Sequence, residues 1–215
     1  MADCAAILAL AAETAGSRQM AFRWRTIDPF AEPERLSVAE AFSCYAGIDL
    51  LTLLPPVEPA RLAAAAATAG VRTAADDTWG DIFSRVLAEK IEPQLGNGRA
   101  TILSEYPAVQ SPLARPKAAD ARLAERFELF ACGVELANGF GELADSEQQR
   151  LRLEEQMTEK QRIYGERYPL DEDFLTALAA MPQASGIALG FDRLVMLATG
   201  AVHIEQVIWT PLPEV

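Results

Sequence analysis

Two glutamates seven positions apart, Glu128 and Glu135 in the stretch RFELFACGVELANGFGEL, are the side chains of this sequence best placed to hold a hard cation. If Cys132 and Gly133 form a two-residue turn, Phe130 faces Glu135 across a hairpin. Glu128 then lies diagonal to Glu135 on the same face. Carboxylates that close repel unless a cation or a shared proton sits between them. Oxygen ligands of this kind suit Mg²⁺, above all when a phosphate completes its octahedron. A three-residue turn would put the two glutamates on opposite faces, and an edge hairpin with both in solvent reads the same residues with no ligand at all.

Two further features could join them. Asn138, Phe140 and Glu142 lie in a segment loosened by Gly139 and Gly141, where backbone can approach a ligand closely. Glu142 could receive an ammonium group, Asn138 could donate to a carboxylate, and Phe140 could stack on a ring; the alternative is a glycine-rich strand exit with Phe140 in the core. In SGIALGFDRLVML a glycine-containing strand feeds a helix opened by Asp192, with Arg193 in its first turn. A planar guanidinium there can grip a phosphate, or it can pair on the surface with Asp192 or Glu205. His203, the one histidine, reads as structural or exposed, and Lys90 in KIEPQLG is given no role.

The elements that must position these groups are legible from caps and breakers. An Ala-rich helix opens the chain and closes at Gly16. A second starts at Ser37, with Glu40 reaching back, and stops at Gly47. A third covers 59–69, and a fourth runs from Thr78, with Asp81 three residues on, to before Pro93. Strands are expected over 100–103, 126–132, 134–138, in GIALG and in QVIWT, with helices over 145–164, 171–180 and in DRLVMLATG. The strands are joined by hairpins or helical excursions without a βαβ rhythm, which argues for an α+β fold with a largely antiparallel sheet. No GxGxxG or GxxxxGK[ST] phosphate loop is present.

At 215 residues, half of them hydrophobic and 23% charged, the chain fits one soluble domain, read as a mainly helical part over 1–98 and a sheet part over 99–215. A net charge of −12 disfavours broad nucleic-acid binding. Three scattered cysteines without a CxxC pair suggest reduced thiols and a cytoplasmic setting. The opening helix has no basic leader and is shorter than a membrane span.

In this order the motifs resemble the class II lysyl-tRNA synthetases and their smaller relative, the elongation factor P lysyltransferase. GIALGFDRLVML is similar to the family's motif 3, ERFELFACGVELANGFGEL to the strand pair before it, and YPAVQSPLAR, KIEPQLG and LSVAEAFSCYAGID to the segments upstream. The resemblance implies a class II synthetase fold with an antiparallel sheet flanked by helices. It implies ATP and Mg²⁺ as cofactors, with Glu128 and Glu135 holding the metal at the ATP phosphates and Arg193 on the γ-phosphate. Asn138 would meet the amino-acid carboxylate, Glu142 the side-chain ammonium, and Phe140 and Ala188 would line the same pocket. Alanine at 188, where lysyl-tRNA synthetases carry glycine, favours β-lysine and elongation factor P over tRNA. The resemblance also implies a homodimer built on motif 1. That motif, and motif 2 with its α-phosphate arginine, would lie upstream of Met1, so the chain reads as N-terminally truncated. Without them a loss on the order of a thousandfold or more in rate is expected, and the chain alone is expected to be inactive.

Overall fold

The computed structural model describes residues 1–210, and capping chemistry decides where several of its helices begin. Helix α1 (Ala2–Thr14) buries Cys4, Leu8 and Ala12 on one face, and the chain then turns at Gly16 with φ +65°. A short antiparallel ribbon follows, β1 (Met20–Phe22) and β2 (Arg25–Ile27). Strand β3 (Glu34–Ser37) runs straight into α2 (Val38–Ala46). Its last residue, Ser37, accepts from the Glu40 N–H at 3.1 Å while the Glu40 carboxylate accepts from the Ser37 N–H at 2.8 Å. Gly47, at φ +66°, closes α2 as expected. After α3 (Pro59–Thr68), Thr78 and Asp81 repeat the same reciprocal cap at the start of α4 (Trp79–Val86). The helical path then widens into a π turn over Leu87–Ile91 and ends in a 3-10 turn at Glu92–Gln94, which contains Pro93.

Five strands form the main sheet in the order β3-β4-β5-β6-β7, with β4 at Thr101–Ser104, β5 at Arg126–Ala131, β6 at Val134–Gly141 and β7 at Ser185–Leu189. β4 and β5 are antiparallel, with Leu103 opposite Glu128. β3 and β4 are parallel, from Glu34 opposite Thr101 to Ser37 opposite Ser104. The α+β class stands, but the antiparallel pattern breaks at this edge. Parallel neighbours need a long crossover, and α2, α3 and α4 supply it. The part before residue 98 contributes three strands beside its helices.

The chain divides into two compact units. The first comprises Met1–Glu105, Phe127–Asn138 and the chain from Ile187 on; the second comprises Tyr106–Arg126 and Gly139–Gly186. In the first unit Leu8, Met20, Ile27, Ile102, Leu129, Leu136, Leu194 and Leu197 share one core that packs α1 and α7 (Phe191–Thr199) on the sheet. In the second, α5 (Ser146–Tyr164) and α6 (Glu172–Ala179) are capped by Asp145 and Asp171 and joined by Arg150, whose Nη1 donates to Glu172 at 2.8 Å. Arg152 donates to the carbonyls of Ser111, Pro112 and Ala114 at 3.3, 3.1 and 2.9 Å, which fixes the Ser-Pro loop from the helix side.

One expected strand is absent. QVIWT begins inside a 3-10 turn at Ile204–Gln206, and the N–H groups of Val207 and Ile208 are spent on the Ile204 carbonyl at 3.0 and 3.2 Å. Those two donors are therefore turned into the local turn, away from any neighbouring strand, and Trp209 is exposed. No helix among the described residues is long and apolar enough to cross a membrane.

Beside α2 the first unit holds an aromatic stack. Phe42 and Phe83 lie 5.1 Å apart, Phe83 and Trp79 5.4 Å apart, and Trp79 Nε1 donates to the Leu53 carbonyl at 2.8 Å. Truncating Trp79 to alanine should cost about 3–5 kcal/mol of stability. Trp79→Phe, which keeps the ring but leaves that carbonyl unpaired, should cost about 1–3 kcal/mol. Urea unfolding of the two variants checks both values.

Candidate active site

The turn that joins β5 to β6 decides which side chains share a face. Cys132 and Gly133 are its only two residues, and both have positive φ, 52° and 73°. A two-residue connection of this hand matches the twist of the strands and sets Phe130 opposite Glu135, with Glu128 on the same face. Of the two turn lengths open to the sequence, the structure has the two-residue one, with Cys132 in the turn itself. There its thiol is buried, donates to the Met20 carbonyl at 3.3 Å, and has its pKa pushed up to about 11, chiefly by burial. Gly133 is required twice, by its φ and by Arg25. A Cβ at Gly133 would fall 1.6 Å from Arg25 Nη1.

Arg25 is the residue that motif reading missed. Its guanidinium lies over the Trp24 ring at 4.6 Å and donates through Nη2 to the Pro93 carbonyl at 2.7 Å, so it clasps the carboxylate hairpin from the β1–β2 ribbon. No spacing pattern marks it; the signal is spatial.

Glu128 is only 8% exposed, a depth at which a carboxylate stays charged only with partners. Glu135 is half-buried, and its charge, after burial itself, helps push the carboxyl of Glu92 above its ordinary value. The interaction between Glu135 and Glu92 in the first unit is one that a cation would relieve. Among the described residues no set of three His, Cys, Asp or Glu side chains converges on one point. The donor set fits a Mg²⁺ ion that brings phosphate oxygens of its own, and it does not resemble an all-protein cage.

Arg193 meets this group. Its Nη1 donates to the Glu135 carbonyl at 2.8 Å and lies 3.9 Å from the Glu135 carboxylate, while the guanidinium remains half-exposed. The connection from β7 to α7 is tight: the Gly190 N–H donates to the Leu136 carbonyl at 2.8 Å, and a Cβ at Gly190 would press on Arg193 Cδ at 3.2 Å. Asp192 stands in the first turn of α7 as read, but Gly190 is the residue that precedes the helix.

Along β6 the alternation of burial slips by one position. Leu136 and Ala137 are both buried, after which Asn138, Phe140 and Glu142 are half-buried while Gly139 and Gly141 are buried. Strict alternation from Glu135 would have put Asn138 on the other face; the slip restores the phase. Ala188 is exposed on β7. Phe140 and Glu142 belong to the second unit. There Glu142 bridges Ala114 and its N–H donates to the Ala184 carbonyl at 3.0 Å. A Cβ at Gly186 would lie 2.7 Å from Glu142 Oε1, so the absent side chain is the space in which that carboxylate sits. His203 is exposed, and Lys90 is half-buried next to Ile91.

A sheet flanked by helices, with a carboxylate hairpin and an arginine on the helix after the last strand, is the α+β catalytic fold of a class II synthetase. Comparison with known sequences agrees. Residues 28–213 match the family of class II tRNA synthetases (D, K and N). The chain is 37% identical over 207 residues to a lysine–tRNA ligase of Pelotomaculum thermopropionicum, covering 96% of this chain and 40% of that protein. It is 39% identical over 182 residues to an elongation factor P–(R)-β-lysine ligase of Proteus mirabilis, covering 83% of this chain and 55% of that protein. A ligase of the same name from Klebsiella pneumoniae is 39% identical over 178 residues, or 81% of this chain and 54% of the relative. The chain belongs to the family of class II tRNA synthetases (D, K and N) and spans about two fifths to just over half the length of these relatives.

Two measurements check the hairpin. Gly133→Ala should cost about 1–3 kcal/mol, because the positive φ is disfavoured for any Cβ and Arg25 must move; removing Arg25 in the same chain should relieve the second part only, which unfolding of the double variant would reveal. Titration with a thiol reagent at pH 8 should label exposed Cys44 rapidly, while buried Cys4 and Cys132, both with raised pKa, should react on the timescale of local unfolding.

Proposed function

We propose that this chain carries the site at which lysine or β-lysine is activated with ATP as an acyl-adenylate and then passed to a lysine of elongation factor P. The observation that carries the reading is the Arg193 guanidinium seated on Glu135 within the hairpin that also bears Glu128. The relatives named as β-lysine ligases support the choice of substrate.

In this reading the substrate carboxylate attacks the α-phosphorus, the bond to the β-phosphate oxygen breaks, and pyrophosphate leaves. The acceptor amine then attacks the acyl carbon and releases AMP. Neither step needs a protein nucleophile, so positioning and charge placement do the work. Arg193 has donors beyond the one given to Glu135, and these are free to meet a terminal phosphate. Glu128 and Glu135 would hold Mg²⁺, which when bound offsets the charge developing on the leaving diphosphate. Asn138 is assigned to the substrate carboxylate, Glu142 to its side-chain ammonium, Phe140 to the pocket wall, and Ala188 to the discrimination between lysine and β-lysine. Cytoplasmic location and a family-type homodimer belong to the same reading.

Transfer to tRNA is the second reading, favoured by the 96% coverage of this chain in its match to a lysine–tRNA ligase against 83% in the match to a β-lysine ligase. The net charge of −12 favours the protein acceptor over tRNA.

Three outcomes are expected. A non-hydrolysable lysyl-adenylate analogue should bind with Mg²⁺ in calorimetry, and Glu142→Gln should weaken it about tenfold or more through loss of one charge-assisted contact. Gly186→Ala should do nearly the same by evicting the Glu142 carboxylate, although it adds only a methyl group. Ala188→Gly should shift the preference from the β-lysyl toward the α-lysyl analogue. Analogue affinity unaffected by both Glu142→Gln and Gly186→Ala would refute the substrate assignment, and labelled lysine appearing on tRNA in place of elongation factor P would replace the acceptor.

A further inference from the structure

Beside the carboxylate hairpin, within the first unit, lies an open cavity of about 700 Å³. Glu135 and Arg193 form one wall, so it is continuous with the groups assigned to the triphosphate. The other walls bring new chemistry: Arg23 from the β1–β2 turn, and His203 and Glu205 from the segment after α7. Arg23 is a non-glycine residue at φ +55°, its guanidinium lying over the Phe22 ring at 5.3 Å. A left-handed backbone that glycine would adopt more easily is here kept for a residue with a positive charge at the mouth of this cavity.

The charge balance decides the ligand class. Two guanidiniums oppose two carboxylates, so a simple anion gains little from the cavity as it stands. An anion that arrives with a divalent cation meets a different surface, because the metal offsets Glu135 and leaves the arginines for the anion. The leaving group of adenylate formation has this composition. We propose that this cavity is a subsite for magnesium pyrophosphate, with Arg23 as a specific contact and His203 as a donor on its rim. The diphosphate released beside Arg193 passes into it on the way to solvent. The inference rests on the adenylate-forming reading given above.

The test is calorimetric titration of the full chain with pyrophosphate at saturating Mg²⁺, set beside the lysyl-adenylate analogue, which contains no pyrophosphate. Arg23→Gly suits the purpose because glycine accepts the positive φ and removes the charge without disturbing the turn. It should weaken magnesium pyrophosphate about five- to tenfold and leave the analogue unchanged, while Arg23→Lys should retain most of the affinity. His203→Gln should produce a smaller loss in the same direction, and Glu205→Gln a modest gain. Pyrophosphate affinity equal in the parent and Arg23→Gly, with the analogue still bound, overturns the subsite alone. A chain that binds neither ligand overturns the adenylate reading and the subsite with it.

Discussion

The site depends on a side chain bonded to a main chain. Arg193 Nη1 donates to the Glu135 carbonyl, and the next carbonyl along β6, that of Leu136, accepts from the Gly190 N–H. The two bonds hold consecutive carbonyls of β6, and both donors come from the few residues that open α7. A main-chain acceptor cannot rotate away as a carboxylate can. The guanidinium is thereby located by the sheet, and its ion pair with Glu135, long at 3.9 Å and half-exposed, contributes little energy of its own. That leaves its charge incompletely matched, which a site for an anion requires.

The carboxylates obey the opposite logic. Glu128 is buried to 8% exposure, and Glu92 is shifted toward protonation by burial and by Glu135. Like charges at the separation of Glu92 and Glu135 oppose folding, so the hairpin that carries Glu135 has to be held by other contacts. Arg25 does the holding: it stacks on Trp24, bonds to Pro93, and fills the space left by the missing side chain of Gly133.

Much of this was legible where the physics is local. Ser37 with Glu40, Thr78 with Asp81, and the glycines at 16, 47 and 133 announce their caps and turns within four residues of themselves, and the two-residue turn at Cys132–Gly133 is what made a shared face for Glu128 and Glu135 readable. The β1–β2 ribbon was not, because its turn is Arg23-Trp24 and carries no glycine or asparagine. Strand β3 was hidden because its last residue, Ser37, is also a helix cap. QVIWT reads as a strand by composition, yet its main-chain donors are taken by Ile204, a choice no propensity records. The slip in burial at Leu136–Ala137 is likewise invisible to a strict period of two, although it governs which way Asn138 faces.

Glycine beside charge recurs in both units. Gly133 makes room for the Arg25 guanidinium, Gly186 for the Glu142 carboxylate, and Gly141 for the Arg115–Glu125 pair, whose Glu125 Oε2 would lie 2.6 Å from a Cβ. Gly186 and Gly141 have no left-handed φ, so conformational freedom does not explain them; occupied space does. A sheet that presents charged side chains close to its own backbone gains room by omitting side chains there, and an omitted side chain is costly in a strand, where glycine adds backbone entropy to the unfolded state. The strands carry that cost at the positions where a charged group must be held still. This is why the glycine spacing of NGFGEL and SGIALG conveys more about function than the hydrophobic pattern around it, which ordinary core packing would explain equally well.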